Sequence, residues 1–183
     1  MVIIVEGIDR IGKTTLCNAL SKKLGFPIYK ELGVEKKSRE GNVRSQMALI
    51  GLCQKTDCNV IFDRMFTSEC VYGMIDRGYP IKYAINDFNC ALAEAAKIPH
   101  LVYVGMKSTD IKKSSAEHGK ELSKHECMFD TMQNFVKEKI DKVFLECTYF
   151  DIDNLVEKIY AYYLDCKEEI EHAKCTGTID NEV

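Results

Sequence analysis

No run of 18 or more apolar residues occurs in this 183-residue sequence, and none of its segments is long enough to span a bilayer as a helix. The opening Met1-Val2-Ile3-Ile4-Val5 is too short for a signal-peptide core and lacks a basic flank and a cleavage site, so cytoplasmic residence is expected. An excess of basic residues is also missing. The formal net charge is −3, which disfavours a protein that coats nucleic acid by neutralising phosphates. There is no internal repeat and no composition shift that would mark a second domain. Cysteine is abundant, but the nine are odd in number and scattered through apolar segments, without the even pairing of a secreted disulfide framework. Cys53 and Cys58, and His118, His125 and Cys127, show no regular zinc-ligand spacing. The cysteines read as reduced thiols used as small apolar side chains, with Cys17, Cys90 and Cys147 at expected core positions.

What is present is an alternation of short β-branched runs with longer helical stretches. Val2 to Glu6 is a continuous apolar run, as a strand buried on both faces of a parallel sheet requires. Lys13 to Leu24 carries Leu16, Ala19, Leu20 and Leu24 at helical spacing and is closed by Gly25. Further strands are expected at 27–30, 59–63, 100–106 and 144–148. Further helices are expected at 42–52, 82–97, 127–143 and 153–166. The lysine-rich segment 107–124, poor in large apolar residues, has the composition of a mobile surface segment. Residues 167–183 form a polar tail expected to fray. The pattern predicts one α/β domain over 1–166: a three-layer α/β/α arrangement around a parallel sheet of about five strands, with a small lid.

The most specific signal is Gly7-Ile8-Asp9-Arg10-Ile11-Gly12-Lys13-Thr14, which fits G-x-x-x-x-G-K-[ST]. Its glycines let successive backbone N–H groups converge on a phosphate, and the helix that follows adds its positive end. Lys13 is placed to reach the β- and γ-phosphates, and Thr14 to ligate Mg²⁺. The pattern arises by accident in roughly one chain of this length in a hundred. Here it also lies between an apolar strand and a capped helix. The sequence therefore predicts a P-loop that binds ATP and Mg²⁺ through Gly7, Ile8, Asp9, Arg10, Ile11, Gly12, Lys13, Thr14 and Thr15. Asp63, at the end of the run 59–63, is the expected second carboxylate of the magnesium shell.

Two segments resemble the thymidylate kinases, within the nucleoside and nucleoside-monophosphate kinase group. Residues 6–15 are similar to that family's E-G-x-D-R-x-G-K-[ST]-T, and residues 63–72, Asp63-Arg64-Met65-Phe66-Thr67-Ser68-Glu69-Cys70-Val71-Tyr72, to its D-R-Y-x-x-S-x-x-[AVS]-[YF]. Tyr29-Lys30-Glu31-Leu32-Gly33 is a weaker echo of its R-E-P-G stretch, and Phe129 to Val136, with Gln133, resembles the helix after its lid. The resemblance implies catalytic roles for Lys13, Arg10, Asp9 and Arg64. Asp9 would hold the acceptor sugar or assist the metal, Arg10 would stabilise the transferring phosphoryl group, and Arg64 would clamp the acceptor phosphate. Asp9, Lys30, Arg64, Ser68 and Tyr72 would form the acceptor site, and lysines 112, 113 and 120 would lie in a lid closing over ATP. Arg44, in the helix expected at 42–52, either reaches that pocket or faces solvent, and the pocket is the favoured placement. The resemblance further implies a homodimer and transfer to a deoxynucleoside monophosphate, dTMP being the best single guess. The departures fall at the acceptor side: Lys30 for arginine, Leu32 for proline, Met65 for tyrosine, and a short interval between Lys13 and Asp63. Two alternatives stay open. One is a kinase for a nucleoside or modified acceptor, with Glu31 as base. The other is a P-loop NTPase switch.

Overall fold

Parallel pairing of five strands is what the alternation of apolar runs and helices demands, and it is what forms. The computed structural model describes residues 1–30, 38–108, 123–140 and 144–175, with the backbone alone at 173–175. The strands are β1 (Val2–Glu6), β2 (Ile28–Lys30), β3 (Val60–Asp63), β4 (Leu101–Met106) and β5 (Phe144–Cys147). They run in the order β2-β3-β1-β4-β5, every pair parallel. All residues of β1 and β4 are buried, so the central strands have a helix layer over each face.

The helices are α1 (Lys13–Leu24), α2 (Arg39–Lys55), α3 (Phe66–Ile75), α4 (Ile81–Ala95), α5 (Ser123–Ile140) and α6 (Ile152–Cys175). Helix α1 packs against α6, while α3 contacts α2, α4 and α5. Gly25 closes α1 in the left-handed conformation with φ 74°, its N–H bonded to the Ser21 carbonyl, as its position after the last apolar residue predicts. No helix among the described residues is long and apolar enough to cross a membrane.

Four expectations need correction. Helix α2 begins at Arg39 rather than 42, because the Ser38 side chain accepts from the Gly41 N–H at 3.2 Å and adds a first turn. Helix α3 had no amphipathic stripe to betray it: Phe66, Thr67, Ser68, Glu69, Cys70, Val71 and Gly73 are all buried, so its whole circumference is enclosed. Helix α6 runs to Cys175, through the first part of the expected tail, since residues 167–175 contain neither glycine nor proline to stop it. Cys17 and Cys147 are buried, but Cys90 is exposed, because it lies away from the Ala84, Phe88, Ala91 and Ala95 stripe of α4. Glu31 and lysines 112, 113 and 120 lie outside the described residues.

Candidate active site

The chemistry-bearing residues gather at the carboxyl ends of β1 and β3, where an open parallel sheet receives ligands. The chain leaves β1 at Glu6, turns through 7–12 and enters α1. At Gly7, φ is +148°, and a Cβ would stand 2.7 Å from the Met106 carbonyl oxygen. At Gly12, φ is +91°, and a Cβ would stand 2.6 Å from the Tyr149 ring. Only glycine relieves both constraints at both positions.

Lys13 is buried, and its ammonium donates to the Ile8 carbonyl across the loop. Burial, with the Arg64 charge adding to it, pulls its pKa down to about 7. In the parallel register Asp63 stands opposite both Val5 and Lys30. The Thr14 hydroxyl donates to Asp63 Oδ2 at 3.1 Å, and Lys30 Nζ lies 3.2 Å from the same oxygen. Lys30 also approaches Thr14 Oγ1 at 3.4 Å, so it sits at the hydroxyl–carboxylate pair rather than in a separate acceptor pocket. Thr14 and Asp63 supply hard oxygen donors from one hydroxyl and one carboxylate. That set suits Mg²⁺, which takes few protein ligands and completes its octahedron with phosphates and water. No cluster of three or more His, Cys, Asp or Glu side chains arranged to hold a metal occurs among the described residues.

The second half of the site is built around Arg64, a non-glycine residue held at φ +81°. Its N–H donates to the Val5 carbonyl at 3.0 Å, tying the turn to β1. Its guanidinium pairs with Asp9 and donates to the Gly7 carbonyl at 3.3 Å and the Ser68 hydroxyl at 3.2 Å. It also lies 5.1 Å from the centre of the Tyr72 ring. Tyr72, in turn, is held against His125 and Phe129 of α5. Burial pushes the Tyr72 phenol up to about 12, so it stays protonated.

The structure thus brings Asp9, Arg64, Ser68 and Tyr72 into one group, and Lys13, Thr14, Asp63 and Lys30 into a second beside it. Arg10 and Thr15 are exposed on the loop and on α1. Arg44 is exposed on α2, two residues from the buried Asn42 and Gln46 and therefore on the opposite side of the helix.

Several site residues escaped sequence reading. Glu6, fully enclosed, accepts from backbone and hydroxyl donors at the start of α3. Burial lifts its pKa above the usual value, against the opposing pull of the hydrogen bonds from Ser68 and Met65 and of the Arg64 charge. Glu69 accepts from Asn42 at 3.0 Å and pairs with Arg77 at 2.8 Å. Glu69 borders a slot of about 20 Å³ between α2, α3 and α4, lined also by Arg39, Gln46, Tyr79 and Asp87 among others. That volume admits a water or two. Glu6 and Glu69 lie within the two quoted motif segments, but their partners arrive from other elements, so the motifs alone do not show what they bond. A roomier groove, with Met1, Cys58, His100 and Cys166 on its walls, adjoins the starts of β1, β3 and β4, away from the phosphate loop.

Solved structures align over nearly the whole chain. YorR protein from Bacillus subtilis, in complex with phosphorylated GDP, matches at TM-score 0.58 and 22% identity, covering 92% of this chain and 98% of that one. Deoxyadenosine kinase from M. mycoides with bound dATP matches at TM-score 0.58 and 16% identity, covering 89% and 99%. The same kinase with bound dCTP matches at TM-score 0.51 and 18% identity, covering 90% and 100%. The fold is that of the P-loop nucleoside and nucleotide kinases. A thymidylate kinase from Ehrlichia chaffeensis aligns at TM-score 0.48 and 14% identity, so the particular resemblance to thymidylate kinases gains nothing from shape. No family model and no curated protein sequence matches this chain.

A P-loop kinase does little covalent chemistry and works through placement, positive charge and exclusion of water. The Lys13, Thr14 and Asp63 group presents an ammonium, a hydroxyl and a carboxylate beside the glycine turn. The Arg64 group lies beside it, joined to the same loop through Gly7 and Asp9.

Proposed function

We propose that this protein transfers the γ-phosphoryl group of ATP to a nucleoside monophosphate, with dTMP the first acceptor to try. The reading rests chiefly on Arg64, whose guanidinium is held beside the phosphate loop by Gly7, Ser68 and Asp9. A planar guanidinium suits an acceptor phosphate better than an ammonium does, because two parallel N–H bonds fix its orientation. Lys13 would pass its ammonium from the Ile8 carbonyl to the β- and γ-phosphates. Thr14 and Asp63 would hold Mg²⁺, which when bound supplies charge neutralisation and in-line alignment. Arg10 would add charge to the transferring group from the exposed loop. The homodimer stays part of the proposal, and sedimentation velocity at micromolar concentration tests it.

One observation favours a second reading. Asp9 already pairs with the Arg64 guanidinium, so that charge is matched within the protein and an uncharged nucleoside would fit beside it without a phosphate to balance it. A coupled ADP-release assay separates the two readings. Mg-ATP is offered with dTMP, dUMP, dCMP, dGMP, dAMP and the parent nucleosides. Turnover with a monophosphate supports the first reading, and turnover with nucleosides alone moves the protein to the second. ADP release that ignores every acceptor would sink both.

A further inference from the structure

The entry to α3 lacks a cap of its own. Its N-cap residue is Met65, with φ −151° and ψ −134°, and no side chain of the helix bonds to its first turn. The first N–H groups of a helix have no partner inside it, and leaving them buried and unpaired costs about 1–3 kcal/mol each. Here the partner comes from another strand. Glu6 Oε1 accepts from the Met65 N–H at 2.8 Å and the Thr67 N–H at 3.1 Å, and Glu6 Oε2 accepts from the Ser68 N–H at 3.2 Å. Its carboxylate thus fills both halves of a capping box, although it lies 59 to 62 residues away in the chain.

The same carboxylate accepts from the Ser68 hydroxyl. That bond spends the only hydroxyl proton of Ser68 and turns the oxygen's lone pairs outward, where the Arg64 guanidinium donates to it at 3.2 Å. A chain of donors runs Arg64 to Ser68 to Glu6. We propose that Glu6 is a positioning residue for Arg64: it sets the start of α3 and orients Ser68 as an acceptor, and so holds the guanidinium toward the acceptor side of the site. Buried at 0% exposure, Glu6 has no access to a ligand and acts only through Ser68 and the α3 backbone. Ser68, at 5% exposure, is accordingly a link in this chain rather than a wall of the acceptor pocket. The inference rests on the kinase reading for its functional consequence, but not for its geometry.

Glu6→Gln tests it, since the carboxamide keeps the volume while turning an NH₂ donor toward groups that are themselves donors. Amide exchange at Met65, Thr67 and Ser68 should quicken in this variant while the rest of the sheet is unchanged. The Arg64 guanidinium N–H signals, assigned by their loss in Arg64→Ala, should exchange more rapidly in both Glu6→Gln and Ser68→Ala. With the best monophosphate acceptor from the panel, both variants should raise the acceptor KM about tenfold and move the ATP KM less than twofold. Glu6→Gln added to Arg64→Ala should cost less than a further twofold.

Equal losses for ATP and acceptor, or full multiplicity with Arg64→Ala, would mean that Glu6 merely stabilises the fold. If Glu6→Gln does not fold, Ser68→Ala decides alone, because it cuts the chain and leaves the carboxylate its backbone partners. Unchanged guanidinium exchange in that variant overturns the inference whatever the acceptor. An Arg64→Ala variant with an unchanged monophosphate KM instead rejects the clamp in the proposed function, which separates the two failures.

Discussion

The Thr14 hydroxyl and the Asp63 carboxylate, 49 residues apart in the chain, meet at 3.1 Å where α1 begins and β3 ends. The parallel register makes the meeting obligatory, since Asp63 lies level with Val5 at the end of β1 and the chain returns to the sheet within one loop. Lys30, level with Asp63 on the other side, completes a hydroxyl–carboxylate–ammonium triplet.

Asp63→Asn should therefore weaken the demand for metal rather than for nucleotide. We expect the Mg²⁺ concentration at half-maximal activity to rise about 10- to 100-fold. Metal-free ATP binding, read by calorimetry, should change little. Lys30→Ala should act in the opposite sense by removing a cation from the same carboxylate, lowering the Mg²⁺ requirement. A rise in that requirement would show that Lys30 serves the nucleotide instead.

Lys13 gives a pH prediction. With its folded pKa near 7 and an unfolded value of 10.5, the folded protein without nucleotide binds fewer protons than the unfolded chain between those limits. Stability from this group is accordingly lowest below pH 7 and is regained as pH rises toward 10.5. ATP binding should restore the charge. At pH 8, calorimetry in buffers of different ionisation enthalpy should register net proton uptake on nucleotide binding. Lys13→Met should abolish both that uptake and turnover. No buffer dependence in the wild type would place the lysine already charged.

Gln133 is buried on α5, and among the described residues neither its amide oxygen nor its amide nitrogen has a hydrogen-bond partner. Its amide carbon would stand 2.9 Å from a Cβ at Gly105 of β4, so the side chain is pressed on the strand. Exchanging it for methionine removes two desolvated polar groups at nearly constant volume. We expect about 1 kcal/mol of added stability, or roughly 2–4 °C in Tm. Retained stability with lost activity would show instead that the amide awaits a ligand.

Gly73 in α3 tests the packing around Tyr79. A Cβ there would come within 2.4 Å of the Tyr79 ring, whose hydroxyl accepts from Asn42 at 3.4 Å. Gly73→Ala should cost about 1–3 kcal/mol in chemical denaturation. A neutral result would show that Tyr79 swings aside freely.

Much of this was legible before any coordinates. The phosphate loop is a local device: its glycines, lysine and threonine sit within eight consecutive residues, and backbone geometry over that span follows from residue type. The five strands and α1 declared themselves through apolar runs and helical spacing. Helix α3 did not, because a helix enclosed on all sides shows no period. The full length of α2 was signalled by Ser38, a weak cue beside the glycine that follows it in the first turn. From sequence Arg44 can point to the pocket or to solvent, and only the phase set by the buried Asn42 and Gln46 places it outward.

Read alone, the amino-acid sequence determined the class of fold and the phosphate-binding loop, since hydrophobic periodicity and short-range sterics act within a few residues. Tertiary structure decided the rest. Which carboxylate caps α3, which lysine meets Asp63, and what holds Arg64 in place all depend on strand register and on approaches across many tens of residues. A buried polar group takes whatever partner the packing delivers, and no window along the chain contains that partner.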